Sequence, residues 1–133
     1  MFSICFVTAP SIEVAKTIGT ALVQKRLIAC CNILGNCVSI YSWQGKIETD
    51  TNEHLMIMKT RTELVPKIVD EVKSTHPYEC PEVVSFIQGE GNPQYLKWLA
   101  ENTNFAAAQV ENVVKKQENE NEEQEEGKSQ EKK

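Results

Sequence analysis

The sequence predicts an α+β fold: an antiparallel four-stranded sheet with helices against one face, a long hairpin joining its second and third strands, and an extra C-terminal helix. Two observations carry that prediction. Short apolar runs occur in four places and helical apolar spacing in between, in the order strand, helix, strand, strand, helix, strand. The second and third strands meet at Gln44-Gly45, where glycine accepts the positive φ of a tight hairpin turn.

Each element has a local reason. Residues 3–8 mix aromatic and β-branched side chains and read as a buried strand. Pro10 and Ser11 end it. Ser11 is a helix N-cap with Glu13 in the favoured first turn. Val14, Ile18, Ala21 and Leu22 then recur at helical spacing up to Lys25-Arg26, whose charges suit a helix C-terminus. Residues 27–33 begin the second strand, and Gly35-Asn36 marks a bulge or bend in it, not its end. With Gln44-Gly45 as the loop, Trp43 faces Lys46, Tyr41 faces Glu48 and Ile40 faces Thr49. In the third strand, residues 48–54 are polar, so Glu48, Asp50 and Glu53 are expected in solvent or paired to another subunit. Residues 55–58 are apolar on both faces, as in a covered central strand.

Leu64, Val65, Ile68, Val69 and Val72 form the second helical stripe, with Pro66 tolerable only in its first turn. His76-Pro77-Tyr78-Glu79-Cys80-Pro81 is a stiff loop, since each proline keeps its predecessor out of the helical region. Residues 83–87 form the fourth strand. Pro93 starts a short helix carrying Tyr95, Leu96, Trp98 and Leu99. This β-α-β-β-α-β order is the ferredoxin-like plan. The globular domain covers residues 1–104. Residues 105–133 are an acidic, low-complexity tail, disordered or frayed-helical, open to a basic protein partner.

The hairpin arms are long for the domain. About 14 residues at roughly 3.3 Å each span about 46 Å, whereas a domain of about 100 residues is only some 35 Å across. The ribbon must overhang or bend. With Tyr41 and Trp43 near its tip it calls for a partner surface.

Composition narrows the function. The chain has 133 residues and a net charge of −5, and its first 110 residues hold 11 acidic and 9 basic side chains. A nearly neutral body carries no basic footprint for nucleic acid. No apolar run is long enough to span a membrane, and the apolar start lacks the basic residues of a secretory signal. Five cysteines, an odd count with no C-x-x-C pair, read as reduced thiols in the cytoplasm.

His76 is the most informative titratable residue. It is a metal ligand or anion anchor held in a stiff loop, or else a loop histidine closing a helix C-terminus. Cys30 and Cys31 are adjacent on a strand and point to opposite faces, so they do not chelate one ion together. Cys5 is a possible cross-sheet neighbour of either. Lys59, at the end of a central strand, is a candidate pocket cation, because burying it needs a partner. Trp43 and Trp98 are core, interface or pocket-wall residues. His54 is a solvated or interface histidine. Gly89-Glu90-Gly91 lacks the third glycine and long helix of a phosphate loop, and no Ser-His-Asp or Cys-His arrangement indicates an enzyme.

Taken together, Thr8-Ala9-Pro10, LIACCNI at 27–33, SIYSWQGK at 39–46, Lys59-Thr60, His76-Pro77-Tyr78, Pro81-Glu82 and YLKWL at 95–99 resemble the CutA family, the divalent-cation tolerance proteins, over about residues 3–102. The resemblance implies a homotrimer with long hairpins reaching neighbours and with similarity to PII-type signalling proteins. It implies a role in copper and other divalent-metal tolerance, through a metal ion or small ligand and without catalysis. Copper or another divalent cation is then a bound species that folding does not require. The family's inter-subunit cleft maps onto Cys30, Trp43, Lys59, His76, Tyr78 and Glu82. The bacterial copper site uses a cysteine before Thr-Ala-Pro and two consecutive histidines before Pro-Tyr. Here those positions are Val7 and Thr75-His76, leaving His76 with Cys5, two residues before Val7, as the candidate metal ligands.

Overall fold

A computed structural model describes residues 1–131. Strand β1 (Phe2–Ala9), helix α1 (Ile12–Gln24), strands β2 (Cys30–Trp43) and β3 (Lys46–Arg61), helix α2 (Val65–Thr75), strand β4 (Val84–Ile87) and helices α3 (Pro93–Glu101) and α4 (Phe105–Glu131) follow in chain order. The sheet order is β2-β3-β1-β4 with every neighbouring pair antiparallel, which is the ferredoxin-like arrangement.

Alternation along β1 sets the core. Ser3, Cys5, Val7 and Ala9 are buried, while Ile4, Phe6 and Thr8 point to the other face of the sheet. Met56 and Met58 of β3 lie on the buried face, with Ile18 and Leu22 of α1 and Ile68 and Val72 of α2. Ser11 caps α1 by accepting the Val14 N–H at 3.2 Å. The end of α1 is a Schellman motif: Arg26 N–H donates to the Val23 carbonyl and Leu27 N–H to the Leu22 carbonyl, with Arg26 at φ 54°. Arginine stands here where glycine is usual. The motif turns the chain so that Leu27 and Ile28 drop into the core.

Residues 27–29 are therefore a buried approach to β2, not its first residues as the sequence suggested. The Ala29 N–H donates to the Lys59 carbonyl, and Thr60 Oγ1 donates to the Leu27 carbonyl at 2.6 Å. The hairpin register matches the expectation pair for pair: Trp43 with Lys46, Tyr41 with Glu48, Ile40 with Thr49. Gln44 and Gly45 both take positive φ, 49° and 78°, as a type I′ turn requires. The bulge falls where Gly35-Asn36 placed it, with register shifts between Leu34 and Ser39 and Asn36 at φ 57°.

The arms do overhang. β1 pairs with β3 only from His54 to Arg61, so Lys46 to Glu53 pair with β2 alone. Those eight residues project about 26 Å at roughly 3.3 Å each.

Helices α1 and α2 pack on one face, as the ferredoxin-like plan requires, and the extra helix α3 lies on the other. Adjacent Cys30 and Cys31 accordingly meet different helices. A side chain at Gly19 of α1 would lie 3.3 Å from the Cys31 sulfur, whereas the Cys30 sulfur lies 3.6 Å from the Tyr95 hydroxyl of α3. Arg61 ties α3 to the second face through Thr103 and the Ala100 carbonyl. This covers only part of that face, so Leu55 and Ile57 stay half-buried and Val84 and Phe86 exposed. Burial of residues 55–58 on both faces therefore needs something beyond one chain. Of the acidic segment, residues 105–131 form α4, exposed from Val114 to Ser129, and residues 132–133 lie outside the described residues.

The Thr60 bond is the anchor of the α1–β2 connection. Thr60→Val keeps the shape but orphans the buried Leu27 carbonyl, and urea denaturation is expected to show a loss of about 1–3 kcal/mol.

Candidate functional site

The loop after α2 has no strand or helix of its own, so side chains must hold it. His76 ends α2, its N–H donating to the Val72 carbonyl, and takes the extended conformation that Pro77 imposes. Its ring is 7% exposed. Tyr78 N–H donates to His76 Nδ1 at 3.1 Å, so that nitrogen carries no proton. His76 Nε2–H then donates to the Thr8 carbonyl at 2.7 Å. The neutral ring is fixed in one tautomer with both nitrogens engaged.

Tyr78 stacks at a tilt on His76, ring centroids 4.6 Å apart, and its hydroxyl donates to Glu53 Oε2 at 3.0 Å. Glu53 is 4% exposed. The sequence placed it in solvent or against another subunit; the structure buries it at the base of the overhang, under Tyr78. Burial, followed by the bond to Glu53, pushes the Tyr78 hydroxyl well above its ordinary value. Thr8 Oγ1 donates to Glu82 at 3.3 Å, closing the far end of the loop.

Between this loop and the hairpin lies a recess of about 860 Å³. Val38, Ile40, Tyr41 and Trp43 form one wall, and Pro77, Tyr78, Glu79, Cys80 and Glu82 the other. Thr8 and Glu53 also line it. A polar hollow of about 300 Å³, lined by Thr49, Asp50 and Asn52, shares Glu53 and Tyr78 with it. Tyr41 donates to Asp50 at 2.8 Å beside that hollow, which raises the tyrosine's affinity for its proton.

The six cleft candidates therefore fall into two groups. Trp43, Tyr78 and Glu82 line the recess, with His76 behind Tyr78. Cys30 and Lys59 are register partners elsewhere on the sheet. Lys59 Nζ donates to Asn32, and Cys30 meets Tyr95, whose hydroxyl this contact pushes up to about 12. Lys59 lies six residues along β3 from Glu53, about 20 Å at roughly 3.3 Å each.

The expected metal pair does not assemble. His76 has no free ring nitrogen, and Cys5 is fully buried in the core, its thiol pushed up to about 11 by desolvation. His76 reaches β1 at Thr8, three residues beyond Cys5. A copper chelate on these two side chains does not fit this arrangement. Among the described residues no three His, Cys, Asp or Glu side chains are grouped to hold a metal ion. Sequence reading missed Glu53, Asn32 and Tyr95 as site residues; cross-strand parity put Asn32 near Lys59, but nothing local joined Glu53 to Tyr78.

A family model described as CutA1 divalent ion tolerance protein matches residues 3–102. The divalent-cation tolerance protein CutA of Thermus thermophilus is 48% identical over 103 residues, covering 77% of this chain and 99% of that protein. Protein CutA of Mus musculus is 50% identical over 97 residues, covering 73% of this chain and 54% of that protein, so the match spans about half of the mouse relative. The solved Thermus structure superposes with a TM-score of 0.75 over 78% of this chain and all of that one. A CutA from Archaeoglobus fulgidus, described as periplasmic, gives 0.75 at 38% identity over 78% of this chain and all of that one. No helix among the described residues is long and apolar enough to cross a membrane.

Removing the Tyr78 hydroxyl leaves Glu53 buried without a donor. Tyr78→Phe is expected to lower stability near neutral pH by about 1–3 kcal/mol. Because folding raises the Tyr78 value, its contribution is full below pH of about 10 and is lost as pH rises through the folded value. Urea midpoints of wild type and Tyr78→Phe should therefore converge at strongly alkaline pH; a constant gap would contradict the assignment.

Proposed function

Because the chain belongs to the CutA1 divalent ion tolerance family, we propose that it serves divalent-cation tolerance as a homotrimeric binding protein, with a small-ligand cleft between subunits and no catalysis. The observation that carries this reading is the split of the candidate residues. Trp43, Tyr78 and Glu82 line the recess, Cys30 and Lys59 stand about 20 Å away along β3, and a single cleft takes one group from each of two copies.

Further features support it. The hairpin overhangs its own domain, and Ile40, Trp43 and Ile47 on it are exposed. Strands β2 and β4 are the sheet edges, each free on one side, and edge strands seek pairing. The half-covered second face carries Leu55, Ile57, Val84 and Phe86, which neighbouring sheets would bury. In this reading copper or another divalent cation is what the protein responds to, in the manner of a PII-type signalling trimer, and His76 holds the cleft wall instead of ligating metal. All five thiols are free, which suits a reducing cytoplasm. Helix α4, about 40 Å long at roughly 1.5 Å per residue and exposed from Val114 to Ser129, is the segment to recruit a protein partner.

Sedimentation at micromolar concentration should return three times the 15.0 kDa of one chain, and a monomer would remove the composite cleft. Equilibrium dialysis with Cu(II) and Zn(II) should give the same affinity for wild type and Cys5→Ala. A loss in the variant would restore the buried thiol as a ligand.

A further inference from the structure

We propose that Lys59 of each subunit enters the recess of the next and pairs there with Glu53, so that an ion pair between copies joins the two halves of the cleft. This rests on reading the cleft as composite, and it names the contact that closes it. Register puts both residues on one face of the sheet. Cross-strand partners share a face, so Lys59 lies with Ile4 and Cys30, and Ile57, Leu55 and Glu53 follow it at even spacing along β3. The extended chain holds the two about 20 Å apart at roughly 3.3 Å per residue, so one copy alone does not bring them together.

Charge and shape at the two ends match. Lys59 is half-buried on an otherwise apolar stretch of that face, with Ile4 and Ile57. Its ammonium has three donors, and Asn32 accepts from one. A neighbouring sheet laid over this face would strip water from the ammonium, and a charge so buried has to be paired. At the other end, Glu53, Glu79 and Glu82 line one recess, and no Lys, Arg or His is among its lining residues. Together they set up a negative potential that draws a cation inward. Val38, Ile40 and Pro77 offer apolar wall to the four-carbon stem of a lysine while its tip reaches a carboxylate. Glu53 is the best placed of the three. It is buried and steadied by Tyr78 at Oε2, and a carboxylate accepts from more than one donor. Glu79 and Glu82 are exposed, where an ion pair contributes little. Each copy gives its lysine to one neighbour and receives one from the other, the head-to-tail contact that closes a ring.

The test is a double-mutant cycle on the full chain. Lys59→Met keeps an unbranched stem and removes the charge. Glu53→Gln removes the opposite charge and keeps an acceptor for Tyr78. Dissociation of the trimer is followed by sedimentation over a range of protein concentrations, in urea chosen to half-dissociate the wild type. Either substitution should raise the dissociation constant at least about tenfold, as for a close charge pair between chains. The double variant should be no weaker than the weaker of the two single ones. Glu79→Gln and Glu82→Gln should each have the same effect in the wild type and in Lys59→Met. Groups of one chain about 20 Å apart act independently, so coupling of Lys59 to Glu53 reports contact between copies. Additive effects of the two substitutions, or coupling of Lys59 to Glu79 or Glu82 in place of Glu53, would overturn the inference. A trimer without the coupling overturns the ion pair and leaves the composite cleft; a chain that sediments as a monomer at micromolar concentration removes both.

Discussion

A line of hydrogen bonds from the Thr8 carbonyl through His76 and Tyr78 to Glu53 is the constraint on which the site depends. The loop it holds contains two prolines and so lacks two backbone donors. Without the line, nothing in the loop's own backbone would fix its distance from the hairpin. With it, one neutral imidazole ties the end of α2 to β1, and one phenol ties the loop to β3. The arrangement works only while His76 has one donor and one acceptor nitrogen. That requirement explains why the histidine braces the loop wall from behind Tyr78 and presents no lone pair to the recess.

Much of the fold was legible because it follows local rules. Glycine at 45 fixed the turn, and a period of two carried the register up both arms. Ser11 and Pro66 announced the helix starts that they make. The failures have equally physical causes. Arg26 adopts a glycine-like conformation at the end of α1, so no residue type marked the turn that buries residues 27–29. α3 crosses to the second sheet face through contacts from Arg61 that have no local signature.

The site was less legible than the fold. Glu53 sits in a polar run, 25 residues before the tyrosine that covers it, and polarity alone places such a residue in water. The six residues suggested by resemblance read as one set in the sequence. Strand geometry separates them, because six positions along an extended chain exceed the width of any single small-ligand pocket. Neither fact is visible until the loop is seen closed on the hairpin.

The two faces of the sheet also divide the thiols. Cys5 and Cys31 lie on the helix-covered face with thiols pushed up to about 11, whereas Cys30 shares the half-covered face with Tyr95 and Cys80 is exposed on the recess loop. Oxidants act on accessible thiolates. Damage from air or peroxide would thus begin at Cys80, on the wall of the recess, while the sulfur atoms of the core keep their packing. Oxidation of this chain would thus alter the wall of the recess before it disturbs the packing of the core.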